Sequence, residues 1–557
     1  MALLLYRGYV IRQAKLVCKT QSSRRVLHIP SKSPLARRAL HNPERERTFE
    51  DAVALLDTLE SNRQVVKSLS QSNQDANASA IPEMLAYLRK AGYTPNHFKK
   101  RMKFIHVAGT KGKGSTCAMV ESILLQYSKG SGPNQKNALG KIGLYTSPHL
   151  TNVTERIRID GSSVSEPLFA RYFFDLWDRF GRSKSDTHLD MQPSFFRYLT
   201  ILALHMFMEE GVETAIIECG IGGEYDSTNI LPADAVTTTA TTSLGLDHVG
   251  MLGESIEQIA WHKAGIMKEG VPAFTVKQVP NAQAILAQRA CEKGVDLAIV
   301  EASPEIKDVK LGLEGKFQHE NAALAVSIAS CHLKKIGFSS DLPPPGSAAT
   351  KGLPGSFVKG LENVKWPGRC QVLKDGNITW CLDGAHTAES LQAAAIWFNE
   401  HMARAQAEVN PPTATMLIFN QTDRDGAALL RGLMTTLYTV NSVGIIFPRH
   451  SPSARPAQRL GSAIFTYAAF PTNNPFKRPP GTQPVDLKAQ DRLASVYQSL
   501  DGNGLNMSYS SIEEAVELAK RVSEGDEPLL VFVTGSLYLV GGVLQVLERT
   551  KRDKSQL

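Results

Sequence analysis

Short apolar runs that end in polar residues alternate with helix-period segments along most of this chain, the pattern of parallel strands joined by helices. Residues 104–116 (FIHVAGTKGKGST) show the unit: an apolar strand enters a loop with three glycines, and a helical pattern follows. Residues 214–220 (TAIIECG) and 234–243 (DAVTTTATTS) predict two more buried strands, and the carboxyl ends of such strands should carry chemistry. Upstream, residues 49 to about 92 read as helical with a polar interruption, SQSNQDANASA. Residues 341–356 (DLPPPGSAATKGLPGS) are rich in Pro, Gly and Ser and predict an exposed connection between compact units. Beyond Trp366 further strand-helix alternations follow, in ITWCLDGAHTAESLQAAAIWF, ATMLIFNQTDRDGAALLRGL, SVGIIFP and EPLLVFVTGSLYLVGGVLQVL. They predict a second α/β domain. Residues 448 to about 490, with many Pro, Ser and Asn, read as an inserted surface loop with little regular structure. The late apolar stretch breaks at Thr534-Gly535-Ser536 into a strand and a helix, which argues against a membrane span. No internal repeat is visible.

Charge changes the picture once its distribution is considered. The chain has 557 residues and a formal charge of +8, which invites a nucleic-acid reading. Residues 1–43 hold nine Lys or Arg and no Asp or Glu, so the remaining 53 basic residues face 54 acidic ones. The folded body is near neutral, and nucleic acid is an unfavoured partner. The first 43 residues mix apolar positions with spaced arginines and serines, as a mitochondrial transit peptide does; a disordered basic tail is the alternative. The opening apolar run, residues 2–5, is too short for a secretory signal. Seven cysteines without CxxC spacing argue against a disulfide framework or zinc cluster and fit a reducing compartment.

In the loop, Gly109, Gly112 and Gly114 let backbone N–H groups converge on one point, and Lys113 can neutralise phosphate oxygens. Thr110, Lys111 and Ser115 complete a nucleotide-phosphate cradle, against the plainer alternative of an ordinary strand-to-helix turn. The usual phosphate loop places Ser or Thr directly after Gly-Lys to hold magnesium, whereas Gly114 intervenes here. A metal would need ligands from elsewhere. Glu218 ends an apolar strand, where a carboxylate is costly unless a cation faces it, and His248 follows the next strand in SLGLDHVGMLG. Adjacent strands delivering both to the phosphate-loop edge would form a magnesium site; a surface carboxylate and a structural histidine are the alternatives.

In order along the chain come GTKGKGST, YTSPHL, ERIRIDG, ECGIGGEYDSTN, LDHVGMLG, HKAGI, WPGR, LDGAHT and TGSLYLVG. From about residue 49 to the C-terminus this set resembles the folylpolyglutamate synthases, of the Mur ligase superfamily. The resemblance implies metal ligation by Ser147, Glu218 and His248, with Ser147 supplying the hydroxyl that Gly114 cannot, and with Pro148 beside it in the substrate loop. It matches Lys263 to a commonly carbamylated lysine, which would require a desolvated amine of lowered pKa. It further implies that Arg369 meets the phosphates of ATP, Asp383 lies near the ribose, Asn321 touches the nucleotide, and His386 and Ser536 help bind glutamate, with Lys113, Lys263 and His386 as the catalytic set. Taken alone, Arg369 would read as a surface arginine and Asp383 as a helix N-cap.

The expected architecture is α/β: a transit peptide at 1–43, an N-terminal P-loop ATPase domain with a parallel sheet at 44–356, and a smaller Rossmann-like α/β domain at 366–557. The implied activity is ATP- and Mg2+-dependent addition of L-glutamate to the γ-carboxylate of a reduced folate through an acyl phosphate. The competing readings are a dihydrofolate synthase, a non-ligase P-loop switch and a nucleotide kinase. A potassium ion enters because related enzymes often use one. A monomer in the mitochondrial matrix, with cytosolic copies allowed, completes the expectation.

Overall fold

The structure is a computed structural model that describes residues 47–59, 75–128, 138–182, 192–338, 342–344, 352–422, 424–443, 464–479, 481–501, 504–524 and 527–555. The expected transit peptide and most of the Pro-rich connection lie outside the described residues. The chain divides into two compact units, Met1–Thr58 and Leu59–Leu557. In the first, the helix Phe49–Leu56 starts at a reciprocal cap: Asp51 N donates to Thr48 Oγ1 at 3.3 Å and Thr48 N donates to Asp51 Oδ2 at 3.1 Å, which satisfies two N–H groups that a helix start leaves unpaired.

Among the described residues the second unit holds two sheets. One is built from β1 (Lys103–Ala108), β2 (Lys141–Tyr145), β3 (Ile157–Ile159), β4 (Ser162–Ser163), β5 (Val212–Glu218), β6 (Val236–Thr241), β7 (Ala273–Val276) and β8 (Leu297–Val300), in the order β4-β3-β2-β5-β1-β6-β7-β8. Only the β2–β3 and β3–β4 pairs are antiparallel. The other contains β9 (Gln371–Asp375), β10 (Ile378–Leu382), β11 (Ala414–Phe419), β12 (Tyr467–Pro471), β13 (Leu505–Tyr509) and β14 (Leu529–Thr534), ordered β13-β12-β11-β14-β10-β9. There β9–β10 alone is antiparallel. The central strands β1, β6 and β14 are buried almost throughout, as parallel strands covered by helices on both faces must be. Because β1 sits between β5 and β6, the chain order reverses around it and leaves a crevice beyond its carboxyl end.

The helix Lys113–Leu125 leaves that crevice. Its Cys117, Val120, Ile123 and Leu124 join the core with the helix Gln318–Lys335, whose Ala322, Leu324, Ala325, Ile328 and Leu333 are buried. Being packed on nearly all sides, the latter helix needs small residues where neighbours approach.

Several expectations shift. The strands expected at 214–220 and 234–243 run over Val212–Glu218 and Val236–Thr241, and they are not adjacent, since β1 separates them. SVGIIFP does not begin a strand: Ser442 and Val443 finish the helix Gly426–Val443, and the rest lies outside the described residues. The helical period of the preceding segment carries through them. The expected irregular insert contains β12, whose Ala468, Ala469 and Phe470 are buried beside β11; tertiary pairing outweighs the flanking Pro and Asn. The helix Asp75–Lys90 begins inside the polar interruption. No helix among the described residues is long and apolar enough to cross a membrane.

In the second sheet's core, Phe532 stacks on Phe398 with centroids 4.4 Å apart and planes 9° from parallel. Both rings are fully buried. Replacing Phe532 with Ala is expected to cost about 3–5 kcal/mol through lost transfer energy and the cavity left behind, read as a lowered urea midpoint for unfolding; an unchanged midpoint would contradict the packing described.

Candidate active site

The crevice beyond β1 is shaped by glycines that other side chains press against. Gly109 has φ 144° and Gly112, the N-cap of the helix Lys113–Leu125, has φ 85°, both costly for residues with a Cβ. A Cβ on Gly109 would overlap Thr242, and one on Gly112 would overlap Asn321. Thr110 N and Lys111 N each donate to Ser243 O at 3.0 Å, and Thr110 Oγ1 donates to Gly245 O at 3.2 Å. Asn321 donates from Nδ2 to Gln318 Oε1 at 2.8 Å and accepts from Thr116 Oγ1 at 3.4 Å. It therefore buttresses the loop. Ser115 is buried in the helix's first turn, where N–H groups and the helix dipole favour an anion.

Glu218, the last residue of β5, is 3% exposed. Its Oε1 lies 3.9 Å from Lys113 Nζ, and its Oε2 accepts from Ser147 N at 3.0 Å. Burial pushes its carboxyl up, opposed by Lys113, the Ser147 N–H, Arg369 and Arg156. The loop after β2 that carries Ser147 and Pro148, joined by a cis peptide bond, is gathered by Glu155. That carboxylate accepts from Leu150 N at 2.7 Å, Thr151 N at 3.0 Å and Asn152 N at 2.8 Å.

On the other side of β1, His248 adopts a left-handed backbone at φ 51°. Burial lowers its pKa to about 4; Asp247 opposes that, while Lys113, Lys263 and Arg424 add to it. The ring is thus a neutral imidazole at pH 7, with a lone pair free to ligate. Asp247 links Lys111 Nζ, at 3.4 Å, to Arg424 Nη2, at 2.7 Å. Although burial works against it, His248, which is cationic in the acid range where Asp247 titrates, together with Lys111 and Arg424 holds its carboxyl well below the usual range. Lys263, on the helix Ile256–Ala264, donates from Nζ to Gly109 O at 2.8 Å. Burial first, then Lys113, lowers its pKa to about 7.

The second sheet supplies the facing wall. Arg369 exerts its charge on both Glu218 and Asp383. Asp383 is buried, and its oxygens accept from Cys370 N at 2.8 Å and Ala385 N at 2.9 Å, so it braces the turn that follows β10; the N-cap of the next helix is Thr387. His386 is half-buried, with its pKa lowered to about 4 by burial and by Lys111. Ser536 accepts from Tyr538 N at 3.1 Å at the start of the helix Leu537–Ser555.

Thus Lys111, Lys113, Ser147, Glu218, His248, Lys263, Arg369 and His386 form one electrostatic neighbourhood, which Arg369 extends to Asp383, while Asn321 is held between Gln318 and Thr116 and Ser536 pairs with the N–H of Tyr538. Sequence reading missed Asp247, Arg424 and Glu155. Asp247 adjoins His248, and Arg424 follows the end of β11, which were the available signals. Among the described residues no three His, Cys, Asp or Glu side chains gather into a metal cage. The donors present are one buried carboxylate with a single direct hydrogen bond, one neutral imidazole and one serine. That set fits a hard divalent ion that keeps several waters.

No family model matches the chain. Over 530 residues it is 40% identical to the folylpolyglutamate synthase of Candida albicans, covering 91% of this chain and 97% of that protein. It is also 40% identical over 512 residues to the folylpolyglutamate synthase of Neurospora crassa, covering 90% and 92%. Among solved structures, the Mycobacterium tuberculosis folylpolyglutamate synthase complexed with ADP and AMPPCP superposes with a TM-score of 0.61 at 20% identity, over 89% of this chain and 98% of that one. The apo form of L. casei FPGS gives 0.61 at 22% identity over 90% and 100%. These two share the fold, and the fungal relatives, matched nearly end to end, share the sequence: the chain belongs to the folylpolyglutamate synthase family.

Proposed function

We infer that the chain catalyses ATP-dependent addition of L-glutamate to the γ-carboxylate of a reduced folyl-glutamate, through an acyl phosphate. The observation that carries the reading is the phosphate loop of one sheet, with Lys113 beside buried Glu218, facing Arg369, His386 and Arg424 of the other. A carboxylate is a poor electrophile toward an amine, and phosphorylation gives it a leaving group. Lys113 and the N–H groups of the helix start stabilise charge on the transferred phosphoryl group, and Arg369 adds a cation from the facing wall. Ser147, Glu218 and His248 would hold a magnesium ion, which when bound neutralises phosphate oxygens. On the other side, Arg424 and Lys111 offer cations to the carboxylates of free glutamate, and the neutral ring of His386 offers an acceptor to its amine. Attack by that amine gives a tetrahedral intermediate that collapses to an amide and phosphate. Because water would hydrolyse the acyl phosphate, the walls must meet around the reacting groups. The acid-free basic residues 1–43 support a mitochondrial pool of the enzyme.

Lys263 is proposed to carry a carbamate. Its amine is half neutral near pH 7, and a carbamate nitrogen keeps one N–H for Gly109 O.

Radiolabelled glutamate supplied to the full chain with ATP and magnesium should appear on tetrahydrofolate. Label confined to dihydropteroate would reassign the chain to dihydrofolate synthesis, and absence of ADP formation would sink the ligase reading. Lys113→Ala is expected to lower kcat by about 10²–10³-fold, the scale of losing one preorganised donor, with the folate KM little changed in steady-state assays. With ¹³C-bicarbonate, a carbamate resonance should grow as pH rises through about 7, because only the neutral amine reacts. It should vanish in Lys263→Arg; a signal that persists there places the carbamate elsewhere.

A further inference from the structure

Gly114 stands where the usual phosphate loop has a hydroxyl, and the indole of Trp366 fills the space beside it. A Cβ on Gly114 would lie 3.2 Å from Trp366 Nε1 and 3.5 Å from Cε2 and Cζ2, tighter than ordinary van der Waals contact at the nitrogen. Trp366 packs against the core that contains the phosphate-loop helix. The guanidinium of Arg158 sits 5.4 Å from its ring centroid, a cation–π contact. Arg158 also pairs with Glu121 at 3.1 Å, two turns further along that helix. The tryptophan therefore touches the first turn of the helix directly and is tied, through Arg158, to its middle.

The residues after Trp366 reach other parts of the site. A Cβ on Gly368 would lie 3.1 Å from Leu150, in the loop of Ser147, and Arg369 faces Glu218 and Asp383. One four-residue segment, WPGR, thus touches the phosphate-loop helix and the Ser147 loop and brings a cation within electrostatic range of the buried carboxylate.

We propose that Trp366 is a positioning residue for the triphosphate, fixing the first turn of the phosphate-loop helix and joining it to the segment that carries Arg369. Gly114 is required because the indole occupies the room a side chain would need. The inference rests on the reading that ATP binds this loop.

The test is a double-mutant cycle of Gly114→Ala and Trp366→Phe, reading KM for ATP, KM for glutamate and direct binding of the analogue AMPPCP. Gly114→Ala should raise the ATP KM about tenfold and Trp366→Phe about threefold, with the glutamate KM unchanged. The smaller ring relieves the clash, so the double variant should stay near the Trp366→Phe value, well short of the about thirtyfold product expected of independent sites. The full product would overturn the proposal, as would an equal rise in both KM values. Should Gly114→Ala fail to fold, amide hydrogen exchange across residues 113–121 of Trp366→Phe without nucleotide decides: faster exchange than in the native chain supports the clamp, and unchanged exchange overturns it. A native chain that bound no AMPPCP would instead defeat the ATP reading itself.

Discussion

A carboxylate almost withdrawn from water, Glu218, sets the terms for the site around it. Burial alone would favour its neutral form, so its usefulness as an anion depends on what is brought near: Lys113 from the start of the helix after β1, a peptide N–H from the loop after β2, and Arg369 from the second sheet. Each partner arrives on a different element, and the strand order is what lets them converge. With β1 between β5 and β6, the phosphate loop rises between Glu218 on one side and His248 on the other. Such a site is held in place before any ligand enters, the condition under which fixed charges are most effective in catalysis.

The same economy of charge joins the two sheets. Asp247 is shared by Lys111, in the glycine-rich loop after β1, and Arg424, beyond β11. Glu314 makes a second joint away from the crevice, accepting from Trp397 Nε1 at 3.1 Å and meeting His401 Nε2 at 2.8 Å, both on the helix Ala388–Gln406. Burial raises the Glu314 pKa, but hydrogen bonds from His401 and Trp397 outweigh it and bring the value to about 2. The joint therefore keeps its negative charge across physiological pH. Two shared acids, Asp247 and Glu314, give the two walls charged points of contact.

Much of this was legible in residues alone where a local rule sufficed. Closely spaced glycines, an apolar strand and a following helix announce a phosphate loop because each property is local. The strand of β14 and its succeeding helix were readable for the same reason, since Gly535 at φ 109° breaks the apolar run between them. What was not legible depends on distance in sequence. The insertion of β1 between β5 and β6 is a matter of crossover, to which periodicity is blind. Arg424 lies in a polar loop whose composition does not distinguish it from any exposed turn, and its meaning comes from Asp247, 177 positions away. The roles expected for Asp383 and Ser536 came from motif order, whereas their hydrogen bonds are made to backbone beside them.

The loop of Ser147 carries a further consequence. Glu155 closes a ring by accepting three successive N–H groups, from Leu150 to Asn152, and an added residue within that ring would move at least one donor out of reach. The spacing from Leu150 to Glu155 is thus a fixed measure in the architecture. Insertions and deletions that alter this enzyme's size have to fall outside it, so the segment behaves as a ruler against which the rest of the chain can change length.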